Sequence, residues 1–305
     1  MRWLITGAGG QLGSDLVAVL DRSGGDDVVV AVDRAGLDIT DARAVDALVA
    51  GSRPDVVVNA AAYTAVDAAE TDEDTAHRVN AVGPANLAAA LGRHGGRLLH
   101  VSTDYVFAGD ADRPYEPEDP TGPRSAYGRT KLAGEQAVLA LLPEQAHVVR
   151  TAWVYGARGG GNFVKTMARL ERERDTVSVV DDQVGSPTWS ADLAAGLVEL
   201  GRAGAVTPGI LHATNSGPTS WFGLTQAIFE ELGADPARVQ PTSSAEFVRS
   251  APRPAYSVLS PRAWTAAGLA PLRPWREALA AAFATAGHEL RGSAGPRRSV
   301  QNNAS

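Results

Sequence analysis

The 305-residue chain contains no cysteine. Disulfides, thiolate metal centres and cysteine nucleophiles are therefore excluded. Long apolar runs are also missing, and nothing approaches the roughly 18 consecutive apolar residues of a membrane-spanning helix. The leading MRWLITGAGG reaches glycine after too short an apolar stretch for a signal peptide. A cytoplasmic location with no membrane partner is expected. Positive charge is scarce, with 28 Lys and Arg against 35 Asp and Glu and a net charge of −7. Without a basic run, nucleic acid is a poor partner. The six histidines (His77, His94, His100, His147, His212, His288) are scattered, with no pair at zinc-ligand spacing. No metal site is expected.

What is present is ample apolar material, 44% of the residues. That suffices for a large domain with a smaller one attached. Short β-branched runs alternate with longer Ala/Leu-rich ones in the first half. Strands are predicted at Arg2–Thr6, Val28–Asp33, Val56–Asn59, Leu98–Ser102 and His147–Thr151. Helices are predicted at Gln11–Leu20, Thr75–His94 and Tyr127–Leu142. The continuous valines of Val28–Val30 and Val56–Val58 suit strands buried on both faces. This alternation predicts an α/β fold, a Rossmann-type doubly wound parallel sheet with a smaller C-terminal substrate-binding lobe. After Thr151 Pro and Gly become frequent and the alternation weakens. The expected division is a dinucleotide-binding domain over residues 1–151 with interleaved elements from roughly 189–215. The lobe would take 152–188 and 216–286. Residues 287–305 are polar and rich in Gly, Ser and Asn, and read as a disordered tail.

Directly after the first strand comes Thr6-Gly7-Ala8-Gly9-Gly10-Gln11-Leu12-Gly13. Gly7 suits a tight turn, Gly10 a close backbone approach to a pyrophosphate, and Gly13 close packing of helix on strand. The helix N-terminus then offers free N–H groups and the positive end of its dipole. Asp33 ends the second strand and can accept bonds from a ribose, which favours NAD. Arg34 follows and can pair with a 2′-phosphate, which favours NADP. The expected cofactor is NADPH, with NADH also compatible.

Tyr127 and Lys131 stand four residues apart at the head of a predicted helix and so share one face. A phenol with a pKa near 10 is a poor acid at neutral pH. A Lys ammonium about 4 Å away, at an effective dielectric near 20, favours the phenolate by roughly 4 kcal/mol, or about three pKa units. Lys131 is therefore expected to bring Tyr127 towards neutrality. Ser102 and Thr103 end the predicted fourth strand, where a hydroxyl can orient a substrate carbonyl. Asn59–Thr64 ends the third strand in the same crevice, and its small residues leave room for a nicotinamide.

In order and spacing these motifs resemble the extended short-chain dehydrogenases/reductases, and within them the dTDP-4-dehydrorhamnose reductases. The resemblance rests on GQLG at Gly10–Gly13, LDITD at Leu37–Asp41, NAAAYTAVDAAE at Asn59–Glu70 and STDYVF at Ser102–Phe107. It continues through YGRTKLAGE at Tyr127–Glu135, RTAWVY at Arg150–Tyr155, DQVGSPT at Asp182–Thr188 and Arg253-Pro254. It implies that Tyr127 is the proton donor, Lys131 its partner and Thr103 the third member of the triad. It places Gly10, Gln11 and Leu12 at the pyrophosphate and Asp38-Ile39 by the adenine. Ala61, Ala62 and Tyr63 would line the nicotinamide side, and Thr103, Asp104 and Trp153 would hold the sugar. Asn162–Phe163 and Gln183–Thr188 would face the nucleotide half of a nucleotide-sugar substrate. Some members of the group are described as magnesium-dependent dimers, which makes a homodimer an expected assembly. Here Glu277 and Glu289 stand without an acidic cluster, which argues against magnesium.

The implied reaction is reduction of a dTDP-4-keto sugar, dTDP-4-dehydro-L-rhamnose first. The quoted motifs do not separate it from the ketosugars leading to dihydrostreptose or 6-deoxytalose. A non-catalytic regulatory subunit, of the kind that accompanies methionine adenosyltransferase, has no need of an activated tyrosine. An epimerase or dehydratase of the superfamily would need an extra acid/base pair, and Thr103-Asp104-Tyr105 carries no adjacent Glu.

Overall fold

The computed structural model describes residues 1–292 except Gly25 and Ala205. Six parallel strands form the central sheet: β1 (Arg2–Thr6), β2 (Val28–Val32), β3 (Val56–Asn59), β4 (Arg97–Thr103), β5 (Ala146–Thr151) and β6 (Gly209–His212). Their spatial order is β6-β5-β4-β3-β1-β2. The chain thus reverses its direction of travel between β1 and β3, and a crevice opens there at the carboxyl ends of the strands. The expected doubly wound parallel sheet is what the chain forms.

Both faces of the sheet are covered. Trp3 and Ile5 point into one core, packed by Leu16 of α1 (Gln11–Arg22) and Leu197 of the helix Ser190–Arg202. Leu4, between them, points into the other, with Leu87 and Leu91 of the helix Gly83–His94. This two-residue alternation of fully apolar positions is the mark of a strand buried on both sides. A third core holds Tyr155, Val164, Leu224, Phe229 and Leu279, all later than β5. Trp264 and Leu269, which the sequence places with the lobe, pack instead into the first core beside α1.

Two further departures from the expected elements have physical causes. The helix predicted over Thr75–His94 runs from Glu73 to His94, but its middle turn, Arg78–Val82, is a π-helix. Pro84 has no N–H to return to the Asn80 carbonyl, so the regular ladder is broken there. The freed Asn80 carbonyl lies where a Cβ on Gly134 would be, 2.1 Å away. At the other end of the chain, residues 287–291 form a helical turn beyond a kink at Ala286 in the segment Trp275–Arg291 rather than a tail, and Leu290 is buried in the third core. The rest of the expected tail, 293–305, lies outside the described residues.

The glycine loop makes the tightest contact in the fold. Gly7 adopts φ +72°, and a Cβ on Gly13 would stand 2.2 Å from the Gly7 carbonyl oxygen. Gly13→Ala should therefore push α1 off the loop. The expected loss is about 1–3 kcal/mol of stability with weakened dinucleotide binding, read by urea unfolding and by cofactor titration.

Candidate active site

A cleft of about 680 Å³ opens along the carboxyl ends of β1, β3, β4 and β5. Gly10, Gln11, Leu12 and Gly13 form its floor at the start of α1. No side chain caps that helix, so its first N–H groups are free to meet an anion. Ala62, Thr103, Asp104, Tyr127, Lys131 and Trp153 line the other end. Ten of the residues expected at the site are thus brought into one cleft.

The others stand elsewhere. Gly7 shapes the loop from behind. Asp33 and Arg34 are exposed at the end of β2, and Asp33 accepts bonds from the Ala35 and Gly36 amides at 3.0 Å. Asp38 turns onto the Thr40 amide and hydroxyl, while Ile39 is buried in the second core against Gly83. Neither of that pair lines the cleft. Ala61 packs into the second core. Tyr63 is fixed by its backbone, whose N–H donates to Asn80 Oδ1 at 2.8 Å and whose carbonyl accepts from Asn80 Nδ2 at 3.1 Å. Asn162 and Phe163 do line the cleft, and the Asn162 amide donates to Gln11 Oε1 and to the Gly156 carbonyl, tying the later loop to the glycine loop.

The helix that carries Tyr127 and Lys131, α4 (Ala126–Leu141, with α2 at Ala42–Ser52 and α3 at Gly83–His94), starts at Ser125, whose hydroxyl accepts from the Gly128 amide at 3.1 Å. Glu70 accepts from the Ala126 amide at 2.8 Å, which holds the same end. Tyr127 is nearly buried, with Tyr105 edge-on at 5.5 Å between ring centres. Lys131 is fully buried and its Nζ donates to the Val101 carbonyl at 2.7 Å. The Thr103 hydroxyl donates to Asp104 Oδ1 at 3.0 Å.

Electrostatics here reverse one expectation. Burial pushes Tyr127 up to about 12; the Thr103 hydroxyl opposes this, and the Asp104 carboxyl adds to it. Lys131, bonded to Val101, does not bring the phenol towards neutrality. Burial takes Lys131 down to about 8, opposed by the Glu135 carboxylate. Asp104 is raised by burial to about 6, the Ser257 and Thr103 hydroxyls holding it back. Desolvation outweighs attraction for all three groups.

Three features were not foreseen. Trp221 stacks on Trp153 at 3.5 Å and 6°, 68 residues later in the chain, and Trp153 holds an unusual φ of +47°. Such strain in a non-glycine residue marks a position fixed by its surroundings. Arg253, on the wall of a pocket adjoining the cleft, pairs with Asp67 at 2.7 Å. Glu135 and Arg150 form a fully buried ion pair at 2.7 Å. Each partner sits in a motif quoted above, except Trp221, but the pairing is long-range and carries no local signal. Among the described residues no cluster of three His, Asp or Glu could hold a metal ion. Nor is any helix among them long and apolar enough to cross a membrane.

A glycine-lined helix start at the switch point and a Thr–Tyr–Lys set at the next strand ends define an NAD(P)H-dependent oxidoreductase of the extended short-chain class. The family model described as RmlD substrate binding domain matches residues 1–287, and the chain belongs to that family. It is 55% identical over 300 residues, 97% of this chain and 98% of the relative, to the dTDP-4-dehydrorhamnose reductase of Streptomyces griseus. It is also 55% identical over 286 residues, 93% and 95%, to a Streptomyces antibioticus protein named probable dTDP-4,6-dihydroxy-2-methyloxan-3-one 4-ketoreductase. A solved dTDP-4-dehydrorhamnose reductase from Bacillus anthracis, in complex with NADP, superposes with a TM-score of 0.88 at 39% identity, covering 93% of this chain and 99% of that one.

A Tyr127 pKa pushed up to about 12 has a direct consequence. Absorbance of tyrosinate at 295 nm, compared between the protein and its Tyr127→Phe variant, should show no ionisation of Tyr127 below pH 10. A phenolate assigned to Tyr127 near pH 8 would contradict the burial argument.

Proposed function

We propose that the chain reduces the C4 keto group of dTDP-4-dehydro-L-rhamnose with NADPH, giving dTDP-L-rhamnose in the cytoplasm. The observation that carries this reading is Thr103, Tyr127 and Lys131 in one cleft with the glycine loop, in a chain so similar to named reductases of that sugar.

The residues present fit a dinucleotide. The free N–H groups at the start of α1 suit the pyrophosphate, and the Gly7/Gly13 contact leaves no room for a Cβ that would lift the helix. Arg34 is exposed, while one oxygen of Asp33 is already engaged by two amides. That balance favours a 2′-phosphate over a bare ribose, hence NADPH before NADH. The bound cofactor supplies the hydride. Tyr127 supplies the proton. A phenol held at a pKa of about 12 stays protonated through the physiological range, the form that reduction needs, and still gives its proton to a more basic alkoxide. With substrate bound the Thr103 hydroxyl turns its one proton from Asp104 to the carbonyl oxygen, and the Lys131 ammonium holds the ribose end.

A second pocket of about 370 Å³ shares Tyr105, Phe163 and Trp221 with the cleft. Arg249 and Arg253 are the cations on its wall. We assign the nucleotide diphosphate to this side, within a lobe made of 152–188 and 216–286. A second reading, reduction of a related dTDP-4-keto sugar, is favoured by the Streptomyces antibioticus relative at the same identity.

The deciding experiment follows absorbance at 340 nm with NADPH and enzymatically generated dTDP-4-dehydro-L-rhamnose. Loss of absorbance with formation of dTDP-L-rhamnose supports the proposal. No reaction, with a different dTDP-4-keto sugar consumed, selects the second reading. Tyr127→Phe should lose about 10²–10⁴-fold in turnover with cofactor affinity nearly unchanged. Arg249→Ala should raise KM for the sugar nucleotide about tenfold or more, as expected for a lost charged hydrogen bond, with kcat within about twofold.

A further inference from the structure

Tyr127, Lys131 and Glu135 follow one another at four-residue spacing along the buried face of α4. The first two belong to the reaction already described. Glu135 does not touch the cleft, yet it is 1% exposed, and an ionised carboxylate is costly at such a depth. Its surroundings account for every lone pair it offers. Arg150 Nε donates to Oε1 at 3.0 Å and to Oε2 at 3.2 Å, and a terminal nitrogen of Arg150 donates to Oε2 at 2.7 Å. The Ser102 hydroxyl donates to Oε1 at 2.5 Å. Arg150 is anchored in turn by the Pro117 carbonyl at 3.2 Å and by the Phe107 ring, 4.9 Å from its guanidinium carbon. Such a fork fixes the carboxylate in both position and charge.

We propose that Glu135, gripped by Arg150 and Ser102, is the fixed counter-charge that positions the Lys131 ammonium under the cleft. The inference rests on the reductase reading only for its turnover arm. Lys131 needs such a partner, because its one hydrogen bond is to the neutral Val101 carbonyl. The groups packed around it from other elements do not supply one. His100 on β4 is held neutral, driven well below its usual range by burial and by Lys131 itself, and it meets Asn59 of β3 at 3.0 Å. Asp104, beyond β4, is raised to about 6 and bonded to Thr103. Tyr127 on the same helix stays a neutral phenol, Asn80 of the π-turn is uncharged, and Arg150 of β5 is itself a cation. Glu135 is the group whose charge favours the ammonium against burial. Because Ser102 adjoins Thr103 on β4 and Arg150 adjoins Thr151 on β5, the same carboxylate also sets the register of α4 against both strands.

The chain makes a direct test simple, because Lys131 and Lys165 are its only lysines. In protein labelled with [13C,15N]lysine, two side-chain signals can be titrated without cofactor or substrate. Lys131 should titrate near pH 8. Glu135→Gln keeps the size and the Ser102 contact but removes the charge. It should lower the Lys131 midpoint by about one unit, a tenfold loss of proton affinity, and leave Lys165 unmoved. Glu135→Gln/Arg150→Gln removes both members of the ion pair, so no unpaired guanidinium stays buried; it serves where the single variant fails to fold, and should shift Lys131 in the same direction by a smaller amount. Glu135→Asp should restore the wild-type midpoint in part. In turnover, the loss of kcat at high pH should begin at correspondingly lower pH in Glu135→Gln, with the NADPH Kd within about twofold. An unchanged Lys131 midpoint in a folded charge-removed variant overturns the proposal. Wild-type protein that shows the shift yet reduces no dTDP-4-keto sugar would overturn the reductase reading instead.

Discussion

Three charged side chains, Lys131, Glu135 and Arg150, lie beneath the cleft almost without solvent. Isolated, each would be expelled or neutralised. They survive because the guanidinium and carboxylate match as a fork and the ammonium finds a backbone carbonyl. That arrangement tolerates no slip. One residue of shift along α4 would rotate its face by about 100° and carry all three of its polar groups away from the sheet. The place of Tyr127 over the end of β4 is therefore set by the charges one and two turns behind it, with Ser125 and Glu70 holding the helix start.

Burial also decides the proton chemistry. It raises Tyr127, lowers Lys131 and raises Asp104, in each case towards the neutral form. A site this dry keeps its acid loaded. The reductive direction gains from a protonated phenol poised for an alkoxide, whereas oxidation would begin with a phenolate that the site disfavours. Coulombic attraction between Tyr127 and Lys131, argued from spacing alone, gives the opposite direction. Spacing on a helix places two groups on one face but says nothing of how much water is left between them, nor of a nearby carbonyl that claims the ammonium.

The same distinction marks what can be read in the chain. The valine run of β3 is buried on both faces as its composition predicts, whereas β2, equally rich in valine, lies at the sheet edge with Val28 exposed; Gly7, Gly10 and Gly13 follow β1 at once, so the loop and the middle of the sheet are legible locally and the edge is not. Thr103 and Tyr127 are legible because strand ends and helix starts converge in this architecture. The Trp153–Trp221 stack, the Asp67–Arg253 pair and the Glu135–Arg150 pair join residues distant in sequence, and no periodicity points from one partner to the other. Asp38-Ile39 shows the converse case. A motif can match while its apolar member is consumed by the core, as Ile39 is against Gly83.

Chemistry and choice of substrate are carried by different parts of the molecule. The groups proposed for hydride and proton transfer stand on strand ends of the sheet and on α4, and none of them reads the rest of the sugar. The wall opposite is made by Trp153, Trp221 and Phe163, and the adjoining pocket carries Arg249, on the exposed stretch 245–250, and the half-buried Arg253. Gly185 presses against the Trp153 ring so closely that a Cβ would stand 2.5 Å from it. The tilt of that ring is therefore governed by Gly185 and Trp221, outside the proposed catalytic set. Two relatives equally similar to this chain carry names for different dTDP sugars. With the groups proposed for proton transfer concentrated on one side of the cleft, the proposed reading lets substrate choice change through the aromatic wall and the arginine-bearing stretch while the reaction stays the same.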